Sequence, residues 1–514
     1  MDDAFISFRY AQNLAQGLGL VFNSGERVEG YTNFLWTTLL AVCAYLGFDL
    51  IPSSKVLAVL AATGNLLIIF QMGQRLFEHH QRSILYISLP MLLFAVMGSQ
   101  ARYIVSGMET LLFTFFLSLG VYLYLYGQRP LITGVIFSLC AMTRPEGVMY
   151  FALILGFTFL MQIPFFKRLL LNPAPENANH PHFHAFRESV LLLLGFLLPY
   201  SAYFLWRYNF YGFVLPNTFY VKASDFQWTR LGRGWDFLLQ LVSWWSLGLI
   251  LILSLFALFV HHNRQIWLLF WLMISATLAY FVYVGGDFIV WFGPRFLMPV
   301  LPLLLLLTSA GLLWPADLRV VPARLTNWIQ LGVAGILLIN AYGFSWPARI
   351  FNHSNFTAQM QSWTEMGLWI AANTPSTTTL ATDAAGLIPY YSNRYTIDMF
   401  GLADIHIAHL PVSDSEGGVV AHEKYDPAYI LQRQPDCIVS TWMDREGNAV
   451  SAGLADYIGE FNEIYHLVAV TKSRFGPPSE GRWIIVTSVY KPNMFDAGYQ
   501  TGLYCQKDLS LNRN

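Results

Sequence analysis

Two adjacent carboxylates, Asp2 and Asp3, open a polar stretch that runs to Asn33 and also carries Arg9, Glu26, Arg27 and Glu29 among aromatic residues and glycines. A carboxylate that stays ionised at the working pH can take the proton of an attacking hydroxyl. Its neighbour can orient it or hold a metal ion. Two neighbouring carboxylates ionise together in a dry site only with a cation or an arginine close by, and Arg9 is the basic residue nearest in sequence. Further polar groups recur in short motifs: Arg102, Met108 and Glu109; Thr143, Arg144 and Glu146; Pro216, Asn217, Thr218, Tyr220 and Lys222; Gly285, Gly286, Asp287 and then Arg295. Arg and Lys are natural partners of an anionic phosphate. The bland alternative is that charges at the ends of apolar runs simply snorkel to water, which accounts for many of these residues taken singly.

The elements that must position these groups follow from composition. Of the 514 residues, 55% are hydrophobic and only 12% charged, against roughly 25% charged in a soluble domain. A larger core cannot explain the deficit, because a soluble surface still needs charge; lipid is the solvent. Trp and Tyr gather near the ends of apolar runs, as interfacial belts do. Runs long enough to cross a bilayer are Lys55–Gly73, Ser83–Ser99, Glu109–Tyr126, Leu131–Thr143 (short), Gly147–Phe166, Ser189–Tyr208, Phe237–Val260, Ile266–Val284, Phe296–Trp314 and Trp328–Ser345. Asn33–Phe48 reads as a helix lying in the interface. One set of loops then collects Arg75, Arg82, Arg129, Lys167, Arg168, Arg187, Arg264, Arg319 and Arg324. The positive-inside bias makes that set cytoplasmic. The opposite set, with the polar motifs, faces outward. Because Asp2 and Asp3 could not reach the outer face unaided, a helix crossing outward ahead of Met1 is expected.

From about Pro347 charge and turn signals return. Asn355–Asn373 reads as an amphipathic helix, and Thr378–Thr382, Tyr395–Asp398, Cys437–Ser440, Ile464–Val470 and Trp483–Val489 read as strands. The chain therefore divides into a membrane region, residues 1–346, and a small outer α/β domain, residues 347–514. Cys437 and Cys505 could pair there, which spacing alone leaves open. No Cys/His spacing suggests zinc, and no basic excess suggests nucleic acid.

Read together, Asp2-Asp3-Ala4-Phe5-Ile6-Ser7-Phe8-Arg9-Tyr10, Gly19-Leu20-Val21-Phe22-Asn23 and Glu29-Gly30-Tyr31-Thr32-Asn33-Phe34-Leu35-Trp36 resemble the first outer loop of bacterial GT-C membrane glycosyltransferases, especially the mycobacterial terminal arabinofuranosyltransferase group. Gly107-Met108-Glu109-Thr110, Thr143-Arg144-Pro145-Glu146-Gly147, Pro216-Asn217-Thr218-Phe219-Tyr220, Pro294-Arg295-Phe296 and the segment Asp383–Gly401 extend the likeness over most of the chain. The resemblance implies a polyprenyl-phosphate sugar as donor, with a pentofuranose such as arabinose in view. It implies a cell-envelope glycan or lipid as acceptor, on the outer face of the cytoplasmic membrane. It makes Asp2 the catalytic base and Asp3 its partner or the holder of a divalent cation. Arg9, Glu29, Tyr31, Glu109, Arg144, Glu146, Asn217, Tyr220, Lys222, Asp287 and Arg295 become substrate-binding candidates, with Arg144, Lys222 and Arg295 as the phosphate site. A flippase would favour ionisable groups or broken helices at mid-membrane, whereas these spans are nearly charge-free. A non-catalytic assembly protein is the other alternative.

Overall fold

The computed structural model describes residues 1–78, 83–163, 186–223, 228–243, 245–260, 263–286, 295–314, 323–351, 353–411, 422–472 and 483–511. Helices long and apolar enough to cross a membrane are Leu50–Phe77, Phe186–Tyr211, Arg264–Tyr283 and Leu325–Tyr342, the last inside the helix Ala323–Phe351. The 28 residues of Leu50–Phe77 span about 42 Å, more than a hydrocarbon core of about 30 Å. The chain is a multi-pass helical membrane protein with a small mixed α/β domain.

Several expected spans come out differently. Phe237–Val260 is not one straight helix: the helices Trp228–Ser243 and Trp245–Phe256 cover it, with an 88° bend between their apolar portions. Arg230, Arg233 and Asp236 occupy the early turns of the first of them, and such charges do not enter hydrocarbon. Ser83–Ser99 ends early, because Ile84–Val96 and Gly98–Val105 meet at a 51° bend. Phe296–Trp314 becomes a turn of 3-10 helix at Met298–Val300 and an 11-residue helix, Leu301–Gly311. That helix is about 16 Å long and buried along its whole length. Phe34–Tyr45 has 12 residues, about 18 Å, too short to cross. Close crossings use small residues, as membrane helices do. Gly134 and Gly195 bring Pro130–Thr143 and Phe186–Tyr211 together backbone to backbone, leaving no room for a Cβ.

The α/β domain holds a six-stranded sheet in the order β2-β1-β3-β6-β4-β5, with β1 Thr379–Thr382, β2 Tyr395–Asp398, β3 Cys437–Ser440, β4 Tyr465–Lys472, β5 Ile484–Val486 and β6 Tyr499–Gln506. β1 pairs in parallel with both β2 and β3, and the remaining pairs are antiparallel. β6 was not expected from sequence. Its pattern is broken by Gly502 and by the buried polar pair Gln500-Thr501. Cys437 and Cys505 sit opposite each other on β3 and β6 and form a disulfide. The helix His353–Asn373 covers one face through Met366 and Ile370.

What positions the site is the direction of the parallel strands. The loop after β1 reaches Asp2 through Gly386 and Leu387. The loop after β2 gives the carbonyls of Gly401, Leu402 and Asp404 to the side-chain amide of Asn217. Gly30 packs so closely on Leu402 that a Cβ would lie 2.9 Å from its carbonyl oxygen. The carboxyl ends of the strands therefore face the membrane region.

Candidate active site

The helix Asp2–Ala15 carries both leading carboxylates. It is pinned from below by the Gly107 turn. Gly107 has φ +81°, and a Cβ there would come within 2.9 Å of Ala4 and Phe8. Its carbonyl accepts from the Trp36 indole at 3.1 Å. The next residues bring Glu109 to a buried node, where the Asn33 amide donates to the Glu109 carboxylate at 2.8 Å. Asn33 also exchanges hydrogen bonds with Ser7 and accepts from Thr37.

From Glu109 a chain of ion pairs leads toward the open side. Arg144 donates to Glu109 at 2.8 Å and to the two oxygens of Glu146 at 2.8 and 3.3 Å. Gly147 makes this turn possible, since a Cβ would lie 2.5 Å from the Ala141 backbone. Arg295 interacts favourably with Glu146 and stands 3.6 Å from Asp3. The side chains from Glu109 through Arg144 and Glu146 to Arg295 are 2%, 16%, 11% and 15% exposed, and Asp3 is 46% exposed. Asp3 is thus the open end of a mostly buried polar network.

Asp2 points elsewhere. Its carboxylate accepts the N–H of Leu387 at 2.6 Å and that of Gly386 at 3.2 Å, tying the membrane region to the α/β domain. Gly386 leaves no space for a Cβ against Asp2. Burial pushes the Asp2 carboxyl up to about 7 against the pull of the Leu387 N–H, and the Asp3 charge adds to the rise. A raised carboxyl binds its proton more tightly in the folded state. Its contribution to docking is therefore full below the ordinary value of 3.8 and is lost as pH climbs through about 7. Burial raises Asp398, to about 6, and Asp383 in the same direction, so the comparison must isolate Asp2. Hydrogen exchange at the Gly386 and Leu387 amides is expected to be slower at about pH 5 than at about pH 8 once intrinsic rates are divided out. Asp2→Asn should flatten that difference; equal slopes in both proteins would show that Asp2 does not titrate in this contact.

The structure does not bring all the expected substrate-binding residues to this place. Arg9 is buried and spends its guanidinium on the carbonyls of Phe22, Pro389 and Arg394 and on Asn23. Glu29 forms a buried pair with Arg207 at 2.5 Å. Tyr31 shares a hydrogen bond with Tyr211 inside the core. Asn217 holds the loop after β2, and Tyr220 stacks near His409 while its carbonyl accepts from Lys424. These five are interdomain and core ties. Lys222 is exposed on the helix Asn217–Ala223, and Asp287 lies outside the described residues. Arg144 is brought to the site, where it lies between the carboxylates of Glu109 and Glu146.

Sequence reasoning missed Asn23, whose side chain accepts the N–H of Thr396 and donates to its carbonyl, closing the free edge of β2. It missed Arg207, and also Arg230 and Arg233, which face Glu423 at 3.7 and 2.6 Å. The charges at 230 and 233 were legible as a pair one turn apart; their partner, nearly two hundred residues on, was not.

A divalent cation at Asp3 needs further acidic or imidazole donors. Among the described residues no group of three or more His, Cys, Asp or Glu is placed to hold a metal. The Arg295 guanidinium flanks Asp3 where a cation would sit. Among the described residues, the donor set around Asp3 does not fit a resident cation.

A family model described as a domain of unknown function, DUF8728, matches residues 352–494. A terminal beta-(1→2)-arabinofuranosyltransferase of Mycobacterium tuberculosis is 29% identical over 247 residues, 45% of this chain and 36% of that protein. The protein of the same name from Corynebacterium glutamicum is 28% identical over 337 residues, 59% of this chain and 47% of that protein. The chain thus spans less than half the length of these curated relatives. ArnT from Cupriavidus metallidurans, in a crystal structure bound to undecaprenyl phosphate, superposes with a TM-score of 0.52 at 13% identity, covering 77% of this chain and 81% of ArnT. Its apo structure gives the same TM-score at 12% identity. The fold is of the GT-C type that ArnT has.

Proposed function

We propose that this chain is a glycosyltransferase that moves a sugar from a polyprenyl-phosphate carrier to a glycan or lipid of the cell envelope, on the outer face of the cytoplasmic membrane. The observation that carries the reading is the open Asp3 carboxylate. It sits beside Arg295, at the end of the Glu109–Arg144–Glu146 network, and is adjacent in sequence to Asp2, which meets the loop after β1. A sugar hydroxyl is a poor nucleophile and needs a base, whereas a polyprenyl phosphate leaves readily once its charge is stabilised. Asp3 takes the proton of the acceptor hydroxyl, whose oxygen bonds to the anomeric carbon as the bond from that carbon to the phosphate oxygen breaks. Arg295 supplies positive charge for the departing phosphate. The family resemblance ranks Asp2 first as base; the two backbone N–H bonds that its carboxylate accepts favour the reverse order.

The relatives' names support a pentofuranose, and undecaprenyl phosphate bound to ArnT supports a lipid-phosphate donor. The outward orientation rests on the Lys and Arg distribution and on the Cys437–Cys505 disulfide, since such bonds persist outside the reducing cytoplasm. In a background lacking Cys43 and Cys140, Val489→Cys should react with a membrane-impermeant maleimide on intact cells, and Gln128→Cys only after permeabilisation. The reverse pattern would invert the topology. The reaction itself is tested with purified full-length protein, polyprenyl-phospho-arabinose and a short synthetic arabinofuranosyl oligosaccharide. A product heavier by one pentose is expected by mass spectrometry, and its absence across sugar donors would overturn the reading.

A further inference from the structure

The helix Arg264–Tyr283 meets the site with its last turn, which carries Tyr280. One turn earlier, Thr277 shares a hydrogen bond of 2.7 Å with Tyr150, and Tyr150 lies one turn beyond Glu146 on the helix Glu146–Gln162. Residues three and four apart share a helix face, so Glu146 and Tyr280 each stand one turn from that bond on the faces that meet. They stand at the same end of the crossing, because Tyr280 interacts electrostatically with both Glu146 and Arg144. The Tyr280 ring also lies 6.0 Å from the Phe296 ring, and the Arg295 guanidinium lies 5.6 Å from that same ring. Arg295 in turn stands 3.6 Å from Asp3. Tyr280 is thus joined to Asp3 contact by contact, through Phe296 and Arg295.

Tyr280 is half-buried, and its hydroxyl makes no hydrogen bond among the described residues. Buried phenols usually find a partner, as Tyr124 does in Thr158 and Tyr150 in Thr277. The Tyr280 ring is held against Phe296 while its polar tip is unsatisfied, which is the state of a group that waits for a ligand. The neighbouring charges select the ligand. Arg144 is already matched by Glu109 and Glu146, which leaves a phosphate to Arg295. A neutral hydroxyl fits the phenol, because a phenol both donates and accepts, and the Glu146 oxygens keep lone pairs beyond those that Arg144 takes. In the proposed reaction the transferred sugar lies between the acceptor hydroxyl at Asp3 and the phosphate at Arg295, so its own hydroxyls are the ones this corner meets.

We infer that the Tyr280 hydroxyl, held against Phe296 beside Glu146, hydrogen-bonds a hydroxyl of the transferred sugar and makes Tyr280 a residue that selects the sugar donor. This rests on the proposed transfer reaction and deepens it: the site distinguishes donors by a hydroxyl at one position of the sugar ring. A site built to bond a substrate hydroxyl rejects the analogue that lacks it, because its own polar group is then left unpaired.

The test gives full-length wild-type protein and Tyr280→Phe one arabinofuranosyl acceptor and a set of donors: polyprenyl-phospho-arabinofuranose and analogues that each lack one of its hydroxyls. Wild type is expected to prefer the complete donor over one of the analogues on the order of tenfold in kcat/KM, the worth of one hydrogen bond. With the complete donor, Tyr280→Phe should fall to the value wild type shows with that analogue. With the analogue it should fall no further. No preference in wild type, or a preference that survives in Tyr280→Phe, overturns the inference while the transfer reaction stands. An equal loss on every donor also overturns it, since the hydroxyl would then serve the phosphate or the fold. Tyr280→Phe removes a hydroxyl that has no partner to lose, so its melting temperature should match that of wild type; a clear drop would reveal a partner inside the protein and overturn the inference. If wild type transfers from none of the donors, the transfer reading fails instead. Donor binding measured by calorimetry then decides Tyr280 alone: a preference for the complete donor that is lost in Tyr280→Phe supports the contact, and equal binding in both proteins overturns it.

Discussion

Asp3→Asn is expected to lower glycosyl transfer by roughly 10²–10⁴-fold, the usual worth of general-base assistance, with donor affinity retained. The substitution keeps the shape of the side chain and removes its basicity. Asp3 is the exposed member of the leading pair and faces Arg295 across 3.6 Å. Asp2→Asn is expected to be milder. Its remaining side-chain oxygen still accepts from Leu387, and the contact it serves lies between the two regions rather than at the reacting hydroxyl. Turnover of both single variants and of the double variant, measured with a polyprenyl-phosphate sugar, separates the roles. Full activity in Asp3→Asn together with severe loss in Asp2→Asn would restore the order that the sequence suggests. Wild-type turnover in the double variant would remove both carboxylates from the mechanism.

The different fates of the motif residues show what was legible in the sequence. The run from Asp2 to Trp36 supplies Asp3, Ser7 and Asn33 to the network. It does not reveal which polar groups face a ligand. Arg9, Glu29 and Tyr31 looked like ligand groups because they are polar and lie in a loop read as exposed. Each is buried against chain that lies far away in sequence. The carbonyls that satisfy Arg9 belong to Pro389 and Arg394, 380 and 385 positions on, and nothing local in the sequence announces a domain docking there. The spans were legible where apolar composition decides them, as in Leu50–Phe77 and Arg264–Tyr283. They failed where tertiary contact overrides length. Leu301–Gly311 is a short helix wrapped on every side, and the Trp228–Ser243 helix is turned away from its apolar successor. The sheet was legible in its strands of alternating or β-branched residues and missed in β6, where Gly502 interrupts the pattern.

Arg144→Ala is expected to cost about 3–5 kcal/mol of stability, because removing one partner of a buried ion pair leaves uncompensated charge in a dry place. Here two carboxylates would be left, Glu109 with 2% and Glu146 with 11% of its side chain exposed. Had Arg144 been a phosphate ligand, its Ala variant would fold normally and lose donor affinity. The two cases separate in a denaturation series on detergent-solubilised protein, with donor binding measured alongside. Arg144→Lys is expected to recover only part of the loss. A single ammonium cannot reproduce the fork that meets Glu109 with one nitrogen and both oxygens of Glu146 with two others. The decisive arm is a cycle in the background of Glu109→Gln and Glu146→Gln. If the guanidinium is there to balance the carboxylates, Arg144→Ala should cost far less once they are neutral, and the coupling should be of the size found for groups in one ion network. Equal cost in both backgrounds would mean that Arg144 is held for another purpose. A stable Arg144→Ala protein with lost donor affinity would return Arg144 to the phosphate, and with it the reading of this network as the scaffold behind Asp3 would fall.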